Sequence, residues 1–161
     1  MYFNIMDDLD RQIIVELQKD GRLGYADLAN TLHISESTAR NRVKNILKQK
    51  LITVNAIPNL KTMGYNFIGI MGLQVNLTKR KEIAEKLAGR CEVCHVMSVT
   101  GEHDLMAIIA AKSATDFADF SDKFVASLPG VFRTVTYVWL NVYKGNEYNL
   151  DTKQLINEMG I

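Results

Sequence analysis

Over the first fifty residues, apolar positions recur with a helical period. Leu9, Ile13 and Leu17 stand at i, i+4 and i+8, and Ile14 widens the stripe. Asp7, Asp8 and Asp10 sit at the start of this helix, where carboxylates favour the positive end of the dipole. Asp20-Gly21-Arg22 ends it, with Gly21 available as a left-handed cap. A second helix is predicted from Tyr25 to Leu32, burying Leu28, Ala29 and Leu32. A third runs from Glu36 to Lys50, with Ser35 as N-cap and Ala39, Val43, Ile46 and Leu47 as its inner stripe.

After Pro58 the period changes. Phe67, Met71, Leu73, Val75 and Leu77 alternate on one face of a strand, with Ile68 and Ile70 on the other. Thr78 can cap a helix that buries Ile83, Ala84 and Leu87. Glu92 to Thr100 reads as a strand, Gly101-Glu102-His103-Asp104 as a turn, and Leu105 to Ala111 as a third strand. Ser113 can cap a helix carrying Phe117, Phe120, Phe124 and Leu128, stopped by Pro129-Gly130. Val131 to Tyr143 is a long fourth strand. The order strand, helix, strand, strand, helix, strand predicts a ferredoxin-like sandwich with both helices on one sheet face.

The last strand is apolar on both sides. Val131, Val135, Tyr137 and Trp139 alternate with Phe132, Val138, Leu140 and Val142. Two helices cover one face only, so the other is expected to be a self-association surface. The alternative cover is the tail, residues 149–161.

Length and charge refine this picture. The chain has 161 residues, enough for two small domains, and a formal net charge of +1. That balance excludes a bulk polycation or an acidic disordered chain, yet it hides an uneven distribution. Up to Leu32, Arg11, Lys19 and Arg22 face six acids, giving −3. From His33 to Thr53, Arg40, Arg42, Lys44, Lys48 and Lys50 face Glu36 alone, giving +4. No apolar run spans a bilayer, and the acidic N-terminus does not resemble a secretory signal. A cytoplasmic protein with reduced cysteines is therefore expected, without a membrane partner.

The positive charge falls on the third helix. Its outward face carries Ser37, Thr38, Arg40, Asn41, Lys44, Asn45 and Lys48. Ser37, Thr38, Arg40 and Asn41 are candidates for hydrogen bonds to base edges in the major groove. Arg42, Lys44 and Lys48 are candidates for phosphate contact or orientation, and the start of the helix at Ser35 can hold a phosphate. Ahead of it, Ala29 fills the place where the two helices of a helix-turn-helix cross. The turn needs one residue at positive φ, and here that position falls on His33.

In this order and spacing the chain resembles the Lrp/AsnC, or feast/famine, regulatory proteins. The matching pieces are Met6-Asp7-Asp8-Leu9-Asp10, Asp20-Gly21-Arg22, Leu28-Ala29, Ser35-Glu36-Ser37-Thr38 and Arg42-Val43. They continue through Leu51-Ile52, Met63-Gly64-Tyr65, Val99-Thr100-Gly101-Glu102-His103-Asp104, Leu128-Pro129-Gly130-Val131, and Thr134 with Thr136. The resemblance implies an α+β chain: a three-helix helix-turn-helix domain over residues 1–51 and a linker strand over 52–65. A ferredoxin-like RAM domain over 66–145 and a tail over 146–161 follow. It also implies a transcription regulator that binds double-stranded DNA as a homodimer or as an octamer of four dimers. An amino-acid effector is implied near Gly101 and Asp104, with Glu102, His103, Thr134 and Thr136 as further candidates. A Gly101 turn exposes N–H groups to a carboxylate, and Asp104 can accept from an α-ammonium group.

Cys91-Glu92-Val93-Cys94-His95 formally matches a haem-attachment pattern, but it runs into a strand, where neighbouring side chains point to opposite faces. No metal or cofactor is expected. Neither a Gly-rich phosphate loop nor a nucleophile elbow occurs, so an enzyme is not expected. The alternative function is a small-molecule-sensing oligomer without specific DNA binding.

Overall fold

A computed structural model of the chain describes residues 6–143. It divides between Ala56 and Ile57 into two compact units. The N-terminal unit is built on α1 (Asp8–Lys19), α2 (Tyr25–Leu32) and α3 (Glu36–Lys48). Ile13, Leu28, Ala29, Ala39, Val43 and Ile46 form its core. Leu51 and Ile52 also pack against that core, so this unit continues past residue 51.

Asp7 caps α1 in a reciprocal capping box with Asp10. The expected left-handed cap at Gly21 is absent. Asp20 ends α1 in an extended conformation, and its carboxylate accepts from the Arg22 backbone N–H at 2.9 Å. Gly21 instead lies close to Val54, whose Cγ1 would be 3.3 Å from a Cβ at that position. Leu47, expected on the inner stripe of α3, is 39% exposed.

The segment expected as a linker strand carries no strand. Residues 52–59 have no regular structure, and 60–64 form a turn. A strand exists through its ladder, and among the described residues no neighbour pairs with this segment.

The C-terminal unit contains β1 (Phe67–Val75), α4 (Arg80–Ala88), β2 (Val93–Ser98), β3 (Leu105–Ala111), α5 (Ala114–Asp119) and β4 (Val131–Val138). The sheet is antiparallel, in the order β2-β3-β1-β4. Leu77 falls in a 3₁₀ turn and is exposed, outside the strand it was expected to extend. After α5 the chain continues as a π turn over Phe120–Phe124 and a 3₁₀ turn over Val125–Ser127. The helices bury one sheet face: Met71, Leu73, Leu105, Ala107 and Ile109 pack with Ile83, Leu87, Phe120 and Val125.

β4 ends at Val138, earlier than predicted. Its partner β1 is already at Gly69 there, and Trp139 makes one further bond to the Ile68 carbonyl. β4 also shifts phase. Gln74 pairs with Arg133 but Val75 pairs with Val131, so Phe132 is an extra residue in a bulge. Val131 therefore joins the helix-side core, not the face of Val135 and Tyr137. A second shift, at Cys94, puts that side chain in a cluster with Leu60, Tyr65, Ile68 and Ala110 on the open face. His95, paired with Ile108, follows on the same broad face, against the simple alternation expected.

The open face is thus covered at one end by the turn carrying Leu60 and Tyr65. Met97 and Tyr137 remain exposed on it, and Ile70, Met106, Ile108 and Val135 half-buried. The tail expected over residues 146–161 lies outside the described residues. No helix among the described residues is long and apolar enough to cross a membrane.

Candidate nucleic-acid interface and ligand-binding turn

The turn between α2 and α3 is made by His33, whose backbone is left-handed at φ 54°, ψ 43°. Ile34 N–H returns to the Ala29 carbonyl at 3.0 Å, and Ala29 is buried at the crossing. Ser35 Oγ then accepts from Thr38 N–H at 3.1 Å. The same oxygen lies 2.8 Å from Thr38 Oγ1 and 2.9 Å from Ser37 Oγ. Three hydroxyls are therefore gathered at the first turn of α3.

Beyond them Arg40, Asn41, Lys44 and Lys48 are exposed. Arg40 Nη2 donates to Glu36 Oε1 at 2.7 Å, and its guanidinium stands 5.1 Å from the centre of the Tyr25 ring. These contacts hold a flexible cation near the outer surface at modest cost, since an exposed pair contributes about 0.3–0.5 kcal/mol. Tyr25 belongs to α2 and is a contributor that the sequence did not single out.

Arg42 departs from this group. Its Nη1 donates to Asp7 Oδ2 at 2.6 Å and to Asp10 Oδ1 at 3.2 Å. The Asp10 backbone N–H, and after it Arg42, hold the Asp7 carboxyl below the usual range. The hydrogen bond to Asp7 raises Arg42 in turn. An arginine held in this way has an intrachain task before any phosphate arrives.

In the other unit, the β2–β3 turn is stitched to β1. Gly101 has φ 123°, and among the described residues, its two chain neighbours aside, no heavy atom lies within 4 Å of where its Cβ would stand. Asp104 N–H donates to the Leu73 carbonyl at 2.9 Å, while Asp104 Oδ2 accepts from Val75 N–H at 2.8 Å. Gln74 Nε2 donates to the Glu102 carbonyl at 2.9 Å. Gly101 and Glu102 are exposed, Asp104 is half-buried, and His103 is buried. One Asp104 oxygen, expected to face an ammonium group, is thus engaged by the backbone.

His103 lies over Gly72, on the open face of the sheet, and among the described residues its Nδ1 has no hydrogen-bond partner. Thr134 and Thr136 pair with Leu73 and Met71, so they lie toward the helix side. Within one copy, His103 and the two threonines therefore occupy opposite sheet faces. Gln74 and Gly72 were missed by sequence reasoning. A strand-interior glycine is itself a signal of close approach, and it was available.

Comparison with known proteins agrees with this architecture. Residues 6–46 match the AsnC-type helix-turn-helix domain, and residues 67–148 the Lrp/AsnC ligand binding domain. The HTH-type transcriptional regulator FL11 of Pyrococcus furiosus is 33% identical over 141 residues, covering 87% of this chain and 93% of that protein. A second, uncharacterized HTH-type regulator of P. furiosus is 34% identical over 141 residues, covering 87% of this chain and 95% of its own. Escherichia coli AsnC superposes with a TM-score of 0.82 at 22% identity, over 90% of this chain and 97% of that one. A Neisseria meningitidis transcriptional regulator in complex with L-Met gives 0.83 at 20% identity, over 89% and 95%. With both its units matched in order, the chain belongs to the Lrp/AsnC family of transcription regulators.

Proposed function

We propose that this regulator reads DNA with the outer face of α3 and is modulated by an amino acid bound in its C-terminal unit. The observation that carries the first part is the outer face itself. Hydroxyls of Ser35, Ser37 and Thr38 lead into Arg40, Asn41, Lys44 and Lys48, all exposed except half-buried Thr38. Such groups suit base edges near the helix start and phosphates further along. The L-Met complex of the Neisseria regulator supports an amino acid as the ligand class.

The protein acts in the cytoplasm as a homodimer paired through the open sheet face, or as an octamer of four such dimers. Dimerisation sets two copies of α3 about one DNA turn apart, or a multiple of it. Gly101, Glu102, His103 and Asp104 in one copy, with Thr134 and Thr136 of another, frame the ligand between dimers. Any effect of the amino acid on DNA affinity is reciprocal. No catalytic role is assigned.

The test is enrichment of duplexes from a random pool, followed by titration at several salt concentrations. Calorimetry with single amino acids, with and without the enriched duplex, tests the modulator. Failure to enrich any duplex, alongside heat from an amino acid, would favour a sensing oligomer that does not bind DNA.

A further inference from the structure

We infer that Arg42 is a positioning residue for DNA reading: it ties α3 to the start of α1 through Asp7 and Asp10, and so fixes how α3 presents its outer face. The inference rests on α3 being the reading helix.

Three observations carry it. First, Arg42 stands on a different side of α3 from the cations Arg40 and Lys44. At about 100° per residue it lies roughly 200° around the helix from Arg40 and also from Lys44, beside the buried stripe of Ala39, Val43 and Ile46. Second, its partners are already fixed. Asp7 Oδ1 accepts from Asp10 N–H at 2.9 Å, and Asp10 Oδ2 faces Asp7 N–H at 3.4 Å. Each carboxylate keeps its other oxygen for Arg42. Third, this pair is the long-range one. Among the described residues of this unit, the remaining ion pairs join positions two to four apart. Arg42 spans 35 residues to Asp7 and 32 to Asp10, joining two helices.

Electrostatics favours the same assignment. One guanidinium between two carboxylates leaves a local charge of −1, which repels a phosphate. If Asp7 and Asp10 merely stood near DNA, removing a charge there would tighten binding. If they hold Arg42 and through it α3, removing a charge weakens binding. The two outcomes have opposite signs.

The experiment uses the full chain and a duplex enriched from a random pool by the unmodified protein. Affinity is measured across a salt series for Arg42→Gln, Asp10→Asn, the double variant and Arg42→Lys. Circular dichroism first confirms that each is folded at the assay temperature. Arg42→Gln and Asp10→Asn each weaken binding by about tenfold, with no added loss in the double variant. The slope of log affinity against log salt stays unchanged, and Arg42→Lys recovers part of the loss, because an ammonium group can bridge both acids.

A slope shallower by about 0.9 for Arg42→Gln would make Arg42 a phosphate contact and overturn the inference. Tighter binding by Asp10→Asn, or unchanged affinity in every variant, overturns it equally. If the unmodified protein enriches no duplex, the assignment of α3 fails first and the positioning role fails with it.

Discussion

His103 folds its imidazole over Gly72, in the space a side chain would occupy. A Cβ at residue 72 would stand 2.4 Å from His103 Cδ2 and 2.6 Å from Nε2. Gly72→Ala therefore expels the ring and costs about 1–3 kcal/mol of stability. Urea unfolding measures it. The double variant Gly72→Ala/His103→Ala recovers part of the loss, because the clash is then gone.

Asp104 serves the backbone through one oxygen. Asp104→Ala strands the Val75 N–H and lowers stability by about 1–3 kcal/mol. Asp104→Asn keeps an acceptor and stays near the parent. Calorimetry then separates the roles: an amino acid that needs the carboxylate loses affinity in Asp104→Asn while the thermal midpoint holds. Equal midpoints for Ala and parent would remove the structural role.

The left-handed turn at His33 stores a small strain. Glycine adopts that backbone freely, so His33→Gly raises stability by up to about 1 kcal/mol, and a β-branched residue lowers it. The expected order of thermal midpoints is Gly, then His, then Val. DNA affinity follows the same order to the extent that the turn fixes α3.

Acid removes part of the stability. The carboxyls of Asp7, Asp20 and Glu82 are each held below their ordinary values, mainly by the Asp10 backbone N–H, the Arg22 backbone N–H and the Lys86 ammonium respectively. A depressed folded-state value stabilises above the unfolded one and loses that stabilisation as pH falls through the folded one. The thermal midpoint should therefore hold from neutrality to roughly pH 5 and decline below it. Arg42→Gln removes one of the groups holding Asp7 down and makes that part of the decline shallower.

The outer face of α3 gives two distinct signatures. Arg40→Ala costs about 1–3 kcal/mol in binding and relaxes one operator position. Lys44→Ala weakens all sequences alike and reduces the salt slope by about 0.9. Binding assays on the enriched duplex and its single-base variants separate them. A uniform loss from Arg40→Ala would move that residue from base edges to the backbone.

Much of this was legible because local chemistry and burial agreed. The stripe of Ile13, Ala39, Val43 and Ile46, the Ser35 cap and the strained turn at His33 follow from spacing and residue type. What could not be read required distant pairing. Nothing near Arg42 in the sequence announces Asp7 and Asp10, because 35 and 32 residues separate them. The bulges at Cys94 and Phe132 were invisible for a related reason, since a strand's parity depends on its partner. Leu47 failed differently: helical spacing placed it inward, but at the edge of the stripe it is 39% exposed and stays outside the buried cluster of Ala39, Val43 and Ile46.

The extra residue at Phe132 gives β4 one phase at its first residue, Val131, and the opposite phase from Arg133 onward. Each phase is anchored on β1 by its own registered pair, Val131 on Val75 and Arg133 on Gln74. Length variation is therefore tolerated unevenly along this strand. Loss of Phe132 spares both anchored pairs, whereas loss of a residue between Thr134 and Val138 inverts everything beyond it. The bulge acts as a slack link that lets the two ends of the strand meet separate packing demands.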